Sequence, residues 1–252
     1  MTTVLALDTS SENCSVALSH QGDIYQQLEH APRNHTKLIL PMLQTLLAEH
    51  SLAMSDLGAI AFGCGPGSFT GIRIAAGIAQ GLAFGLDLPI YAISNLQALA
   101  LQSYLQHGNS IVLVCIDARM GEVYWGVFEV SEQQVAENSG FSDVLYLVKP
   151  LVDEQVSPAD QVMIPHSIEP TKDGETAASL SAIGNAFNVM DQFSESLKLQ
   201  LRQIDNSAEP EARAIARLAQ TALLSGKKGA LQDALPSYVR DSVAWNKLPG
   251  RE

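Results

Sequence analysis

Cysteine is scarce in this chain and cations are outnumbered. Cys14, Cys64 and Cys115 are the three cysteines in 252 residues. An odd number at such wide spacing builds neither a disulfide framework nor a zinc site, and it suits a reducing cytosol. Fifteen Lys and Arg face 27 Asp and Glu, a formal net charge of -12. Nucleic-acid binding normally needs clustered cations that release counterions from phosphates, and Lys227-Lys228 is the one adjacent basic pair. Such a chain is expected to bind RNA poorly alone, so action on RNA would need a partner that supplies basic surface. Long apolar runs are missing too. No stretch approaches the roughly 20 residues that cross a bilayer. The opening Met-Thr-Thr-Val-Leu-Ala-Leu-Asp lacks the basic start of a signal peptide. The six histidines give no metal signature: His30 and His35 are five apart with Pro32 between them. Cys64 has no histidine nearby to activate it, and there is no Gly-x-Ser-x-Gly elbow. No catalytic nucleophile, base pair or metal cage is visible, which argues against a peptidase.

What is present reads as a globular α/β chain. Hydrophobic residues make up 46%, and a chain of this length buries roughly 70–75% of its unfolded surface without staples. Val4 to Asp8, Cys14 to Leu18 and Ile24 to Leu28 are strand-like runs separated by turn formers, a three-strand meander. Leu38, Ile39, Met42, Leu43, Leu46 and Leu47 then form a helical stripe, with Asn34 and Thr36 as cap candidates. Pro41 is expected to kink that helix or restrict its regular part. Leu57 to Phe62 predicts a strand, Ile72 to about Phe84 a helix, Pro89 to Ile93 a strand, and Leu96 to Leu105 a third helix, giving the order βββαβαβα.

After His107-Gly108-Asn109 the opening repeats. Leu113 to Arg119 mirrors Leu5 to Ser10, with an apolar strand, an Asp, a turn and a returning strand in each. This predicts a duplication with a boundary near residue 108, giving units 1–108 and 109–252. Val144 to Val148 predicts a strand. The polar, proline-bearing stretch 153–178 predicts loops and short elements. Ala182 to Phe187 reads as a strand end turning at Gly184-Asn185, and a last helix is expected from Pro210 to Leu224, stopped by Gly226.

Three constellations merit a chemical reading. Asp8 with Thr9-Ser10-Ser11 can hold Mg²⁺ through water and wrap phosphate oxygens, or Asp8 can cap its own turn. Gly63 to Arg73 is a glycine-rich strand-to-helix turn. It matches neither a P-loop nor Gly-x-Gly-x-x-Gly, so a phosphate cradle competes with a simple tight turn. Arg73 opposes the helix dipole there and is expected to have a specific partner such as a carboxylate. Ala75, Ala79 and Ala83 recur every four residues, with Gly77 and Gly81 on another face. Small residues let a helix pack closely, either on its own sheet or on a partner.

Five stretches together resemble the bacterial TsaB family. They are Leu5 to Leu18; the His35 helix with Leu40-Pro41-Met42-Leu43; Gly65-Pro66-Gly67-Ser68-Phe69-Thr70-Gly71-Ile72-Arg73; Asp117 to Tyr124; and Pro236 to Arg240 with Val243-Ala244-Trp245. The resemblance implies an actin-like ATPase fold (ASKHA, ribonuclease H-like) of two related domains. It implies a role in forming threonylcarbamoyl-adenosine beside the anticodon of tRNAs that read ANN codons. There the chain would scaffold and activate a catalytic, metal-carrying paralogue, TsaD, joined by the ATPase TsaE, while TsaC makes the activated adenylate. Helices 35–49 and 70–84 would form the interface, through His35, Leu38, Met42, Arg73, Ala75, Ala76, Ala79 and Ala83, and would form a homodimer without TsaD. Gly65, Pro66, Gly67, Ser68 and Gly71 are expected to shape the turn. No catalytic residue, metal or intrinsic cofactor is expected. ATP and Mg²⁺ would enter only with the complex, tRNA contact would be indirect, and the setting would be cytoplasmic, without membrane contact. The alternative is an ATP-dependent phosphotransferase or ATPase of the same fold, with Asp8 and Asp117 around Mg²⁺ and Thr9, Ser10 and Gly184 near phosphates.

Overall fold

The computed structural model describes residues 2–134, 144–165, 180–201 and 203–240. The first five strands are β1 (Thr3–Asp8), β2 (Asn13–His20), β3 (Asp23–His30), β4 (Leu57–Gly65) and β5 (Ile90–Ser94). They form one sheet in the order β3-β2-β1-β4-β5. β1 runs antiparallel to β2 and parallel to β4. The second sheet holds β6 (Ile111–Arg119), β7 (Glu122–Gln134), β8 (Val144–Pro158), β9 (Leu180–Ile183) and β10 (Gln203–Asp205). Its order, β10-β9-β6-β7-β8, is the same arrangement read from the other edge. β6 is antiparallel to β7 and parallel to β9, as β1 is to β2 and β4. Asp8 and Asp117 occupy equivalent ends of β1 and β6. This doubled arrangement is the actin-like ATPase architecture.

Each central strand is buried on both faces, which explains its unbroken apolar run. Leu5 and Leu7 point into a core with α1 (His35–Glu49) and α2 (Phe69–Leu86). Val4 and Ala6 point the other way, into a core shared with α3 (Asn95–His107) and α5 (Ala212–Leu224). Val112, Val114 and Ile116 of β6 enter that same central core. Leu113 and Cys115 face a third core with Phe187, Phe193 and Leu197, the last from α4 (Glu195–Gln200). The layers are therefore α1 and α2, the first sheet, α3 with α5, the second sheet, and the 185–201 segment. α5 belongs to the second half of the sequence, yet it packs on β1 and β2. α3 belongs to the first half, yet it packs on β6 and β7.

Several local expectations differ from the structure. α1 runs through Pro41 without a break. Pro41 lies on the exposed side, where the backbone carbonyl it leaves unpaired can turn to water. α2 begins at Phe69, earlier than Ile72, because Ser68 caps it by accepting from the Gly71 N–H at 3.3 Å. α5 begins at Ala212, with Glu211 as its extended N-cap residue. Residues 153–158, read as irregular, continue β8. β8 is an edge strand, where Pro150 and Pro158 are tolerated. Residues 166–178 of that stretch lie outside the described residues, as do Val243, Ala244 and Trp245.

A piece ending at residue 108 lacks α5 and exposes Val4, Ala6, Ala17, Ala59 and Ala61 of the first sheet. It is expected to melt without a cooperative transition, and adding a peptide of residues 208–226 should restore one. Differential scanning calorimetry of the piece with and without the peptide checks this.

Candidate functional site

The site is built around the turn that follows β1. Asp8 is fully buried. Its Oδ1 accepts from the Ser10 backbone N–H at 3.0 Å and the Ser10 hydroxyl at 2.9 Å. Thr9, also fully buried, donates its hydroxyl to the Gly71 carbonyl at 2.7 Å. The Ser68 N–H donates to the Ser10 carbonyl at 2.7 Å. The Gly65–Gly71 loop is thus clamped onto the Asp8 turn, backbone against backbone. A Cβ on Gly71 would run into the Thr9 carbonyl oxygen, and one on Gly67 would meet Ser10. The glycines permit that docking, and Gly65, Pro66, Gly67, Ser68 and Gly71 all sit in this turn.

Asp8 Oδ2 has no partner, and neither does Asn95 Oδ1 at the start of α3. Both oxygens crowd the point where a Cβ of Gly63 would stand. Asn95 donates its amide to the Pro66 carbonyl at 3.2 Å. Burial pushes the Asp8 carboxyl up to about 7, against the pull of its Ser10 hydrogen bonds, and the Glu209 charge adds to the rise. A protonated Asp8 is the species that can donate to the Asn95 oxygen.

A cleft of about 1320 Å³ opens between the two sheets. Ser10, Arg33, His35 and the 66–69 loop line one wall, and Asp117, Arg119, Tyr124 and Asn185 line the other. Asp117 accepts from the Arg119 N–H at 2.8 Å and pairs with its guanidinium at 3.2 Å. Gly184 sits at φ 122, with the Cys115 carbonyl where a Cβ would be. It shapes the turn after β9 behind Asn185. Of the five candidate nucleotide contacts, Ser10 and Asp117 reach the cleft lining, while Asp8, Thr9 and Gly184 do not.

A C-terminal strap crosses this cleft. The Ser237 N–H donates to the Cys64 carbonyl at 2.7 Å. Arg73 donates to the Tyr238 hydroxyl at 2.9 Å and lies 3.4 Å over the Phe69 ring. Its partner is therefore a pair of aromatic rings, not a carboxylate. Arg240 reaches the other unit, donating to the Ala118 carbonyl at 3.3 Å and pairing with Glu122. Sequence reasoning gave no role to Tyr238, Arg240 or Asn95. Pro236 to Arg240 stood out as a motif, but contacts this far apart along the chain leave no periodic trace.

The helix candidates divide sharply. Ala75, Ala76, Ala79 and Ala83 are buried against the chain's own sheet, and Met42 and His35 are buried too. Leu38 is half-buried and Arg73 exposed. The opposite face of α2 presents Gly77, Gly81 and Gly85 with open space beside each, flanked by Phe84 at 78% exposure. α2 is, by length and composition, apolar enough to cross a membrane, contrary to the expectation that no stretch of the chain approaches that length.

Comparison with known proteins fits this doubled fold. Residues 26–248 match the family model for TsaD, tRNA N6-adenosine threonylcarbamoyltransferase. The TsaB protein of tRNA threonylcarbamoyladenosine biosynthesis from Haemophilus influenzae is 39% identical, over 99% of this chain and 98% of its own. The Escherichia coli TsaB is 37% identical over 99% of each. The chain belongs to the TsaB group of this family. Among solved structures, YeaZ from Pseudomonas aeruginosa has a TM-score of 0.77 at 37% identity, covering 94% of this chain and 100% of its own. A Pseudomonas aeruginosa protein described as similar to peptidase YEAZ has a TM-score of 0.81 at 38% identity, covering 95% and 100%. In this TsaB chain the thiols are poor nucleophiles. Burial pushes Cys14 and Cys64 up to about 12 and raises Cys115 as well.

The raised Asp8 carboxyl gives a pH prediction. Between its ordinary value of 3.8 and about 7 the folded state holds a proton that the unfolded state has released. Stability from Asp8 is then full below the lower value and is lost as pH rises through the upper one. Asp8→Asn keeps an acceptor for Ser10 and offers N–H to Asn95. The variant is expected to match the wild type near pH 4 and to exceed it at pH 8 by a few kcal/mol, at about 1.4 kcal/mol per pH unit. Urea unfolding at both pH values measures the difference.

Proposed function

We propose that this TsaB-family chain is the non-catalytic scaffold of the threonylcarbamoyl-adenosine-forming complex. It would bind and activate the catalytic paralogue TsaD through α1 and α2, and TsaE would join that pair. The carrying observation is the outward face of α2. A surface helix normally turns a polar face to solvent, but α2 has one charged residue, Arg73, in its 18 positions. Its outer face is Gly77, Gly81, Phe84 and Gly85, and the neighbouring helix α1 exposes Leu40 at 42%. Each glycine inside a helix costs about 1 kcal/mol relative to alanine. Three on one face that touch nothing in their own fold are accounted for by a second helix approaching closely. Alone, the same face would form a homodimer.

The internal use of the Asp8 turn supports a non-catalytic role. Thr9 and Ser10 spend their hydroxyls inside the fold, and Asp8 is sealed from the cleft. ATP and Mg²⁺ would act elsewhere in the complex. The net charge of -12 fits a subunit that leaves tRNA to its partners.

Light scattering after size exclusion, on the chain alone and mixed with TsaD, tests the reading. The expected result is a homodimer that exchanges into a heterodimer. Gly81→Asp should abolish both assemblies while moving monomer stability by less than about 1 kcal/mol, since Asp is at least as good a helix former as Gly. Ala79→Asp serves as the contrast: it buries an unpaired charge and should cost more than about 4 kcal/mol. Intact assembly of Gly81→Asp would count against this interface.

A further inference from the structure

We propose that the strap segment from Ser237 to Arg240 is a closure latch on the interdomain cleft, which holds the two walls at a fixed separation and frees them when its Tyr238 end lets go. The segment lines the cleft and is anchored on both walls. On the first unit the Ser237 N–H donates to the Cys64 carbonyl at 2.7 Å, and the Ser237 carbonyl stands against Gly65, where a Cβ would meet it at 2.9 Å. Arg73 donates to the Tyr238 hydroxyl at 2.9 Å, with its guanidinium 3.4 Å over the Phe69 ring and 5.4 Å from the Tyr238 ring. On the second unit Arg240 donates to the Ala118 carbonyl at 3.3 Å, pairs with Glu122 and lies 6.0 Å from the Tyr124 ring.

Chain length makes this span a stop. One residue advances a chain by at most about 3.5 Å, so the three steps from Ser237 to Arg240 cover no more than about 10 Å. While both ends are seated, the end of β4 and the β6–β7 turn cannot part beyond what this short tether and one arginine side chain allow. The next hold on the first unit lies further back, at the buried Ala234, whose carbonyl accepts from the Gln80 side chain at 2.6 Å. Letting go at Ser237 and Tyr238 therefore lengthens the tether to six steps, about 20 Å, a gain of about 10 Å of slack.

The two ends are unequal. The Arg240 side chain is 17% exposed and makes a charge-assisted pair, the stronger kind of hydrogen bond, and burial shields it from salt. Tyr238 is 48% exposed, and its partner Arg73 is open to solvent. Arg240 also braces a turn that needs support. Arg119, Met120 and Gly121 sit at φ 67, 60 and 80, the left-handed region that side chains rarely adopt. Arg240 bonds Ala118 before this run and Glu122 after it. The second wall thus offers a rigid anchor and the first a releasable one. The latch does not depend on the scaffold reading.

The test is double electron–electron resonance on the full-length chain, spin-labelled through Glu12→Cys and Gln192→Cys at exposed positions on opposite walls of the cleft. The three native cysteines are buried and stay unlabelled, and dilution into excess unlabelled chain removes distances between molecules. Tyr238→Ala, at an exposed position, is expected to keep the thermal midpoint and to lengthen the mean distance by several ångströms, within the slack of about 10 Å. Arg240→Gln should lengthen it at least as much. The double variant should match Arg240→Gln, because a tether cut at one end has nothing left to lose at the other. Distances unchanged in both single variants would overturn the latch. So would a double variant whose lengthening is the sum of the two, the mark of independent local damage.

Discussion

The approach of the Gly65–Gly71 loop onto the turn after β1 governs much else in this molecule. It is a contact of backbone on backbone, with Gly71 against Thr9 and Gly67 against Ser10, tied by the Thr9 hydroxyl and the Ser68 N–H. No side chain larger than hydrogen fits between them. The contact fixes where α2 starts, and so which face of α2 meets the sheet. With Ala75, Ala79 and Ala83 turned inward, Gly77, Gly81 and Gly85 have to point outward. The same contact engages the Thr9 hydroxyl, while the Ser10 hydroxyl bonds Asp8 within the turn. One docking event thus seals the Asp8 turn and sets which face of α2 is exposed.

The duplicated strand–Asp–turn units were legible in sequence because parallel, doubly covered strands leave an unmistakable apolar run ending at Asp8 or Asp117. The order of the first eight elements was legible for the same reason. The two faces of α2 were not: alanine and glycine are both small, and size does not say which side is in. The usable signal was helix propensity. Alanine needs no explanation inside a helix, whereas three glycines at four-residue spacing do. The sequence predicts a strand over Val144 to Val148 and irregular structure over 153–178, a polar stretch whose prolines look like breakers; only the sheet order shows that β8 lies at an edge, where Pro158 is tolerated. The partner of Arg73 was out of reach, since Tyr238 lies 165 positions away.

The exchange of helices between the halves changes what the cleft can do. α3 leaves the first half to cover the second sheet, α5 returns from the second half to cover the first, and the two helices pack on each other in one core. Two units joined only by a linker would be free to hinge widely. Here an opening motion must shear a shared apolar layer, and the strap adds a second tie from Cys64 and Arg73 to Glu122. Arg73 sits on α2 near its outward face, so the strap connects the exposed face of this helix with the opposite wall of the cleft. A partner that displaced Tyr238 from Arg73 and Phe69 would loosen the strap where it is held to the first unit. Arg240 would still hold it on Ala118 and Glu122, so the change would be felt at the β6–β7 turn first.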